Sequence, residues 1–314
     1  MMVALPAHAQ TMQFLGVTPP SKQTVGPFSG SGDELLQSDA QGEGRQGPHV
    51  VLPEAPEGKV TLGVFASFGE GKKPISRGVV WRVFAAQPDS DTGAFPLVAE
   101  QEGSAPVFFL TPGNYIVHAA FGLATAAKEL KIDQLPVREE FVLPAGGLRL
   151  KADVKDHPIS AQLLTFDIFE GSFLQGRASS QPYYRGAAPG EVVLLPEGTY
   201  HVVSTYGDAN AVVSADVNVV PGKLTDATMH HRAAEVAMKL VQDNSGKAVQ
   251  NTQWTVITPG GDTIKESIGA EPTFVLSEGA YTAIGRHNGT NYSREFKVEA
   301  GSNQQIEVQM KAAK

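Results

Sequence analysis

Few side chains in this sequence have the types and spacing that enzymatic chemistry requires. The eight histidines are dispersed, and the one adjacent pair, His230 and His231, would point to opposite faces of a strand. Cysteine is absent, which excludes disulfides, thiolate metal sites and a cysteine nucleophile. No Gly-x-Ser-x-Gly, Walker loop, dinucleotide-binding glycine pattern or His-Glu-x-x-His occurs. We therefore expect no catalytic residues, no metal site and no cofactor.

The strongest candidate for ligand binding is the segment from Gln181 to Gly186, which contains Tyr183, Tyr184 and Arg185. Aromatic and arginine side chains on an extended loop are common at protein interfaces, and aromatic rings also stack on sugars. A Tyr-Tyr pair has a second interpretation, in which one ring lies in the core and the other on an edge strand. The segment thus predicts a contact site for a protein or a glycan, with a purely structural pair as the alternative.

Length and charge limit the classes of protein that this chain can represent. At 314 residues it suits two or three domains of ordinary size. The formal charge is −8 and the basic residues are scattered, so we expect no nucleic-acid partner. No run of eighteen apolar residues occurs, so we expect no membrane-spanning helix.

The N-terminal region differs in composition from the rest. Ala7, His8 and Ala9 form the small-x-small pattern that precedes signal-peptide cleavage, so residues 1–9 are interpreted as the remnant of a signal peptide. A chance match is the alternative. Residues 10–58 are rich in Gly, Pro, Ser and Gln without an apolar period, which predicts a disordered linker. Export would place the protein in the periplasm or outside the cell.

A repeat organises the chain after the linker. The pattern Leu-x-x-Gly-x-Tyr occurs three times, from Leu110 to Tyr115, from Leu195 to Tyr200 and from Leu276 to Tyr281. The spacing implies three units of about 80 to 90 residues each. An aromatic residue in a strand-like run precedes each copy, and alternating apolar residues lie at both ends of each unit; the aromatic residues are Trp81, Phe166 and Trp254.

Period-two alternation around turns of this kind is typical of two-sheet sandwiches. We therefore predict an all-β protein of three tandem antiparallel β-sandwich domains of immunoglobulin-like type, at residues 59–146, 147–234 and 235–314. Residues 232–241 would suit a short helix by propensity alone, but their counterparts in the other units alternate as strands, so we predict a strand there.

Six aromatic residues are interpreted as structural. The glycine of the repeated pattern permits a tight turn, and the tyrosine after it can bond nearby backbone, as in a tyrosine corner. The upstream aromatic residue of each unit would fill the centre of a sandwich that lacks cysteine. The six residues are Trp81, Tyr115, Phe166, Tyr200, Trp254 and Tyr281.

The three strand-turn segments LTPGNYIVHA, LLPEGTYHVV and LSEGAYTAI resemble the signature of carboxypeptidase regulatory-like and PEGA-like modules. The resemblance implies an immunoglobulin-like or transthyretin-like sandwich that acts as a spacer or binding module in bacterial envelope proteins, without catalysis. It covers most of residues 59–314 and is more specific for fold than for function.

Two functions fit these patterns best, and a third, an enzyme with an unfamiliar site at a domain junction, stays open. The first is a non-enzymatic periplasmic or secreted interaction scaffold, whose partner is an envelope protein or a glycan. The alternative is a carbohydrate-binding envelope protein that uses Tyr183, Tyr184 and an exposed Trp81. Burial of Trp81 and Trp254 would count against the alternative.

Overall fold

The computed structural model describes residues 51–242 and 246–310. The predicted signal-peptide remnant and residues 10–50 of the predicted linker lie outside them. The described residues form three consecutive units, each made of two packed β-sheets. The first unit contains β1 (Val60–Ser67), β2 (Val80–Ala85), β3 (Leu97–Glu102), β4 (Val107–Leu110), β5 (Gly113–Phe121), β6 (Ala124–Ile132) and β7 (Val137–Val142).

The second and third units repeat this order of strands. The second contains β8 (Ala145–Val154), β9 (His157–Pro158), a 3₁₀ turn (Ala161–Leu163), β10 (Leu164–Glu170), β11 (Tyr184–Ala187), β12 (Val192–Pro196), β13 (Gly198–Tyr206), β14 (Ala211–Val219) and β15 (Leu224–His230). The third contains β16 (Ala233–Val241), β17 (Gln253–Ile257), β18 (Thr263–Ile268), β19 (Thr273–Ser277), β20 (Gly279–His287), β21 (Thr290–Val298) and β22 (Gln304–Gln309).

Apart from the two-residue strand β9, which pairs with β8 and is not numbered among the seven strands of its unit, the sheet topology is the same in all three units. In the first, one sheet has the order β4-β1-β7 and the other β3-β2-β5-β6. The first strand pairs antiparallel with the fourth and parallel with the seventh. In immunoglobulin constant domains the first strand instead shares a sheet with the second, fifth and fourth. The prediction of an all-β chain of tandem β-sandwiches is confirmed, and in each unit one strand pair is parallel, whereas the others are antiparallel.

Large aromatic side chains lie at the centre of each sandwich. Trp81, Phe166 and Trp254 are buried on the second strand of their units. The two indoles each donate from Nε1 to a backbone carbonyl, Trp81 to Gly103 at 2.9 Å and Trp254 to Gly269 at 3.1 Å. Each ring is therefore packed against apolar neighbours without leaving its N–H unpaired.

The repeated tyrosine has the same hydrogen bond in every unit. Its hydroxyl donates to the backbone carbonyl four residues earlier, at 2.8 Å for Tyr115, 2.9 Å for Tyr200 and 2.9 Å for Tyr281. Because the acceptor lies before the turn and the ring after it, this bond closes the turn between the fourth and fifth strands.

The segment with helical propensity folds as a strand, as the repeat predicted. β16 places Val236, Met238 and Leu240 in the core on one face of the sheet. Helix propensity differs by less than about 1 kcal/mol between ordinary residues, so pairing and burial along the strand outweigh it.

Replacement of the corner tyrosine in the third unit tests this local role. The Tyr281 hydroxyl donates to Ser277 and also accepts from Asn210 Nδ2 at 2.9 Å. We expect Tyr281→Phe to lower the free energy of unfolding of the third unit by about 1 to 2 kcal/mol. Hydrogen exchange of peptides from each unit, followed in rising denaturant, measures this locally. An equal loss in the first unit would contradict it.

Candidate functional site

The three residues predicted to bind a partner lie in different environments. Tyr184 begins β11 and packs against the second core, and its hydroxyl donates to Glu191 at 2.7 Å. Burial, together with this carboxylate, raises the pKa of Tyr184 to about 12. Tyr183 is 39% exposed, and its hydroxyl lies 3.4 Å from the carbonyl oxygen of Leu123 in the first unit. Arg185 is exposed. Of the three residues, Tyr183 and Arg185 are exposed.

The loop between β10 and β11, residues 171–183, contains two exposed apolar side chains that the sequence analysis did not select. Phe173 is 66% exposed and Leu174 is 86% exposed. A turn forms this tip, with Gly176 N donating to Phe173 O and Arg177 N to Ser172 O, both at 2.9 Å. In the sequence, only the adjacent Phe-Leu pair in a glycine-containing loop could have indicated this exposed tip. Phenylalanine and leucine more often lie in a core, so the pair alone does not predict exposure.

Asp216 holds the tip of this loop. Its carboxylate accepts from Ser172 Oγ at 2.5 Å and from the backbone N–H groups of Phe173 and Leu174 at 3.3 Å. It also bonds His201 Nδ1 at 2.8 Å, and the Phe173 ring stacks on the His201 imidazole with centroids 5.1 Å apart. The hydrogen bonds from Ser172 and His201 lower the pKa of Asp216 to about 2.

Strand register brings Asp216 and His201 together. They are directly opposite each other on β14 and β13, on the face turned away from the core. The arrangement is not that of a hydrolase triad, in which the imidazole lies between serine and carboxylate. Here the Ser172 hydroxyl donates to the carboxylate itself, so no base is placed to activate it. The cluster orders the loop.

Two arginines follow the apolar tip along the chain. Arg177 follows it in the loop and Arg185 lies on β11, and both are exposed. Neither makes an ion pair within residues 51–242 and 246–310. Phe173 packs against His201 and Tyr183 against Tyr200, two neighbouring residues of β13. We call the five exposed residues selected from this segment the docking loop (Phe173, Leu174, Arg177, Tyr183 and Arg185).

The units are joined by very short connections. β7 ends at Val142 and β8 begins at Ala145, while β15 ends at His230 and β16 begins at Ala233. The core of the second unit includes Val275 and Ala300 of the third. Short linkers and shared burial oppose free swinging of one unit against the next.

A glycine turn of one unit contacts the strand edge of the next. A Cβ placed on Gly122 would lie 2.3 Å from the Cβ of Leu194, and one on Gly207 would lie 2.6 Å from the Cβ of Val275. Both glycines have positive φ, 60° and 71°. Leu194 and Val275 each precede the leucine of the repeated pattern. The same close approach therefore forms both junctions, and only glycine fits it.

Backbone hydrogen bonds reinforce each junction at equivalent positions. Glu197 N donates to Pro144 O at 2.6 Å in the first junction, and Glu278 N donates to Arg232 O at 2.8 Å in the second. Both glutamates lie between the leucine and the glycine of the repeated pattern. In the first unit this position is Pro112, which has no N–H to donate.

The second junction has additional polar contacts. Asn210 accepts from Ser277 N at 3.0 Å and donates to the Tyr281 hydroxyl. Asp208 pairs with Lys265 at 2.7 Å. These bonds connect the turn of the second unit to three strands of the third, β18, β19 and β20.

The remaining candidates from the sequence do not form a binding centre. Trp81 and Trp254 are buried, so neither is available to stack on a sugar. Within the residues that the structure describes, no three His, Cys, Asp or Glu side chains converge as metal ligands would. No helix in that same part of the chain has the length and apolar character needed to cross a bilayer.

Comparison with a protein-family model finds one match. Residues 235–310 match the Rhizobiales growth-associated tandem repeat domain. This range coincides with the third unit, so the class of protein to which the fold points is one built from tandem β-rich modules. A search of curated proteins found no match.

Solved structures with some similarity include bacterial pilins. The TIE protein of Bacillus anthracis is 16% identical over 81% of this chain and 51% of its own, with a TM-score of 0.24. A streptococcal ancillary pilin is 12% identical over 81% of this chain and 100% of its own, with a TM-score of 0.29. The minor pilin GBS52 of Streptococcus agalactiae is 11% identical over 54% of this chain and 98% of its own, with a TM-score of 0.28. The chain spans about half the length of the first of these, and scores this low carry no functional argument.

Removal of the Asp216 carboxylate tests its hold on the docking loop. We expect Asp216→Ala to accelerate amide exchange at Phe173 and Leu174 about tenfold or more, because both N–H groups lose their acceptor. Asp89→Ala, which removes a similar cap from a loop of the first unit, serves as the control. Unchanged exchange at residues 173 and 174 would contradict the assignment.

The same carboxylate predicts how the loop responds to acid. The pKa of Asp216 falls from its ordinary value of 3.8 to about 2 in the folded chain. Its contribution is therefore complete above pH 3.8 and is lost as the pH falls through about 2. We expect the carboxyl ¹³C resonance of Asp216 to titrate near this lower value. Titration at or above the ordinary value would show that the bonds to Ser172 and His201 do not form.

Proposed function

We propose that this protein is a non-enzymatic scaffold of the bacterial periplasm or cell exterior, which holds three β-sandwich domains in a fixed series and docks a protein partner through the second. The domains are those predicted from the repeat, at residues 59–146, 147–234 and 235–314; β8 and β16 begin close to these boundaries. The observation that carries the proposal is the junction, made twice with the same glycine contact and the same backbone bond.

The form of the junctions supports a spacer function. A chain of domains that served only as separate binding modules would need no close contact between neighbours, and flexible linkers would suffice. Here two-residue connections and glycine contacts restrict the relative orientation of adjacent domains. The docking loop adjoins the first junction, because Tyr183 of the loop lies against Leu123 of the first unit.

Location outside the cytoplasm is supported by sequence features. Ala7, His8 and Ala9 match the pattern recognised by signal peptidase, and the chain lacks cysteine. The resemblance of the repeated pattern to envelope modules agrees with this location.

The composition of the docking loop favours a protein partner. Phenylalanine and leucine anchors beside arginine and tyrosine are typical of binding hot spots, and an ordered loop loses little entropy on binding. The chemistry complementary to this surface is an apolar pocket with carboxylates at its rim, because Arg177 and Arg185 have no acidic partner in the described chain. A glycan has fewer groups to engage, since one face of the Phe173 ring is covered by His201.

Rigidity of the series is tested with distance measurements between spin labels. The chain has no native cysteine, so Ala127→Cys and Ser214→Cys place labels on exposed positions either side of the first junction. We expect a narrow distance distribution that widens about twofold or more in Gly122→Asn, whose Cβ would collide with Leu194.

A matched glycine separates the contact from backbone strain. Gly190 also has positive φ, 79°, but a Cβ added there meets nothing within 4 Å. Gly190→Asn should therefore leave the distribution narrow. A broad distribution in the wild-type chain, or equal effects of the two substitutions, would refute a fixed first junction.

Docking is tested by photo-crosslinking followed by reconstitution. A benzophenone amino acid at position 173, compared with one at the exposed Leu135 of the first unit, identifies proteins specific to the loop. The identified protein is then purified and its affinity measured by calorimetry. We expect Phe173→Ala/Leu174→Ala to weaken binding by about 30-fold or more, and Arg177→Glu to weaken it further in low salt. Unchanged affinity would exclude the loop, and retention on a glycan column lost in the same variant would favour the carbohydrate alternative.

A further inference from the structure

The two junctions differ at one buried position of the linker. Leu143 in the first junction and His231 in the second occupy equivalent sites, since each donates its backbone N–H at 2.8 Å to the first strand of its own unit, Leu143 to Ser67 O and His231 to Asp153 O. Both side chains are buried. A junction that is otherwise repeated therefore contains leucine once and a titratable imidazole once.

The residue that bonds the His231 side chain also differs from its counterpart in the first unit. Ser204 lies four residues after Tyr200, where the first unit has Ala119 four residues after Tyr115, and both positions are buried. The His231 Nε2 atom lies 2.8 Å from Ser204 Oγ. An apolar combination in the first junction is thus replaced by a hydrogen-bonded polar pair in the second.

The other imidazole nitrogen has no partner. His231 is 2% exposed, and its Nδ1 is buried without a hydrogen bond to any of the residues that the structure describes. The Tyr206 and His231 rings pack edge to face with their centroids 5.8 Å apart. In the neutral ring one nitrogen is an acceptor and the other a donor, so one unpaired nitrogen is tolerated; in the protonated ring both are charged donors.

Charged groups face this position from several elements. A cavity of about 340 Å³ adjoins His231 and is lined by carboxylates from three segments, two cationic side chains and a second histidine. Its other lining residues are Asp153, Lys155, Asp156, His230, Arg232, Glu278, Glu299 and Ala300. Glu235 approaches from β16 through the Tyr206 hydroxyl at 3.4 Å.

Most of these charges are already compensated. His230 pairs with Asp153, and Arg232 pairs with Glu278. Burial lowers the pKa of His231, and this outweighs the opposite effect of Asp153. The protonated imidazole therefore lacks an acceptor at Nδ1 and is unfavourable in its buried position.

We propose that His231 is a pH-sensitive latch: the neutral imidazole, bonded to Ser204, holds the second and third units in one orientation, and protonation expels it and frees the junction. The linker is only two residues long, so displacement of His231 also removes its backbone bond to Asp153. The biological use of the latch rests on the proposed scaffold function. The latch itself does not, because the contacts at the junction involve no partner.

The direction of the pH effect follows from the lowered pKa. A histidine whose pKa is lower in the closed state than in the open state favours closure above its ordinary value of 6.5, and this contribution is lost as the pH falls below it. The second junction should therefore be closed near neutrality and loosen in mild acid. The first junction, with Leu143, should not respond.

Spin-label distances measure this in the whole chain. Ser214→Cys and Ser293→Cys report on the second junction, and Ala127→Cys with Ser214→Cys reports on the first; all three positions are exposed. From about pH 7.5 to about pH 5 we expect the width of the second distribution to rise about twofold or more, while the first stays constant. A constant second distribution would overturn the proposal.

Two variants assign the effect to the latch. His231→Leu/Ser204→Ala copies the residues of the first junction and should keep the second distribution narrow at both pH values. His231→Gln keeps a hydrogen-bonding partner for Ser204 but has no titratable group, so its second distribution should also stay narrow at both pH values. This single variant serves as the test if the double variant does not fold. Widening that persists in these variants would assign the transition to the surrounding carboxylates and reject the latch. Failure of the Gly122→Asn test would leave this result unaffected, since it concerns the other junction.

Discussion

The close packing of a glycine turn against the repeated strand-turn pattern is the contact on which the arrangement of this protein depends. Within a unit, the tyrosine of the pattern closes the turn by bonding the carbonyl four residues earlier. Between units, the residue before the leucine receives the glycine of the preceding unit, and the glutamate after it donates to the linker. One short segment thus stabilises the sandwich and positions its neighbour.

The two junctions share backbone contacts but differ in side-chain chemistry. The first is formed around Leu143 and Leu194, whereas the second contains His231, Asn210 and an ion pair between Asp208 and Lys265. Because the backbone contacts set the geometry, side chains can diverge without changing how the units meet. The result is a series in which the first connection is apolar and the second contains hydrogen-bonded and ionic side chains.

The docking loop illustrates how a sandwich presents an apolar surface. If the exposed tip were mobile, a partner would have to order it on binding, and the lost conformational entropy would weaken the affinity. Asp216 removes part of that cost by bonding two successive amides from the opposite strand. The ordered tip can therefore present Phe173 and Leu174 to a partner.

The sequence alone determined the class of fold, the number of units and the strand at residues 233–241, because alternation and the repeated pattern are local properties of the chain. It also selected the segment that contains Tyr183 and Arg185. It could not distinguish Tyr183 from Tyr184, because burial of one ring and exposure of the other depends on how β11 pairs.

Tertiary structure alone decided the rest. The strand order within each sandwich, the bond between Asp216 and the loop tip, and the burial of His231 beside Ser204 all join residues far apart in the chain. Register and packing set those distances, and neither is encoded in the spacing of residue types. The physical reason is that a local pattern specifies which face of a strand is buried, whereas the partner that it meets is chosen by the whole fold.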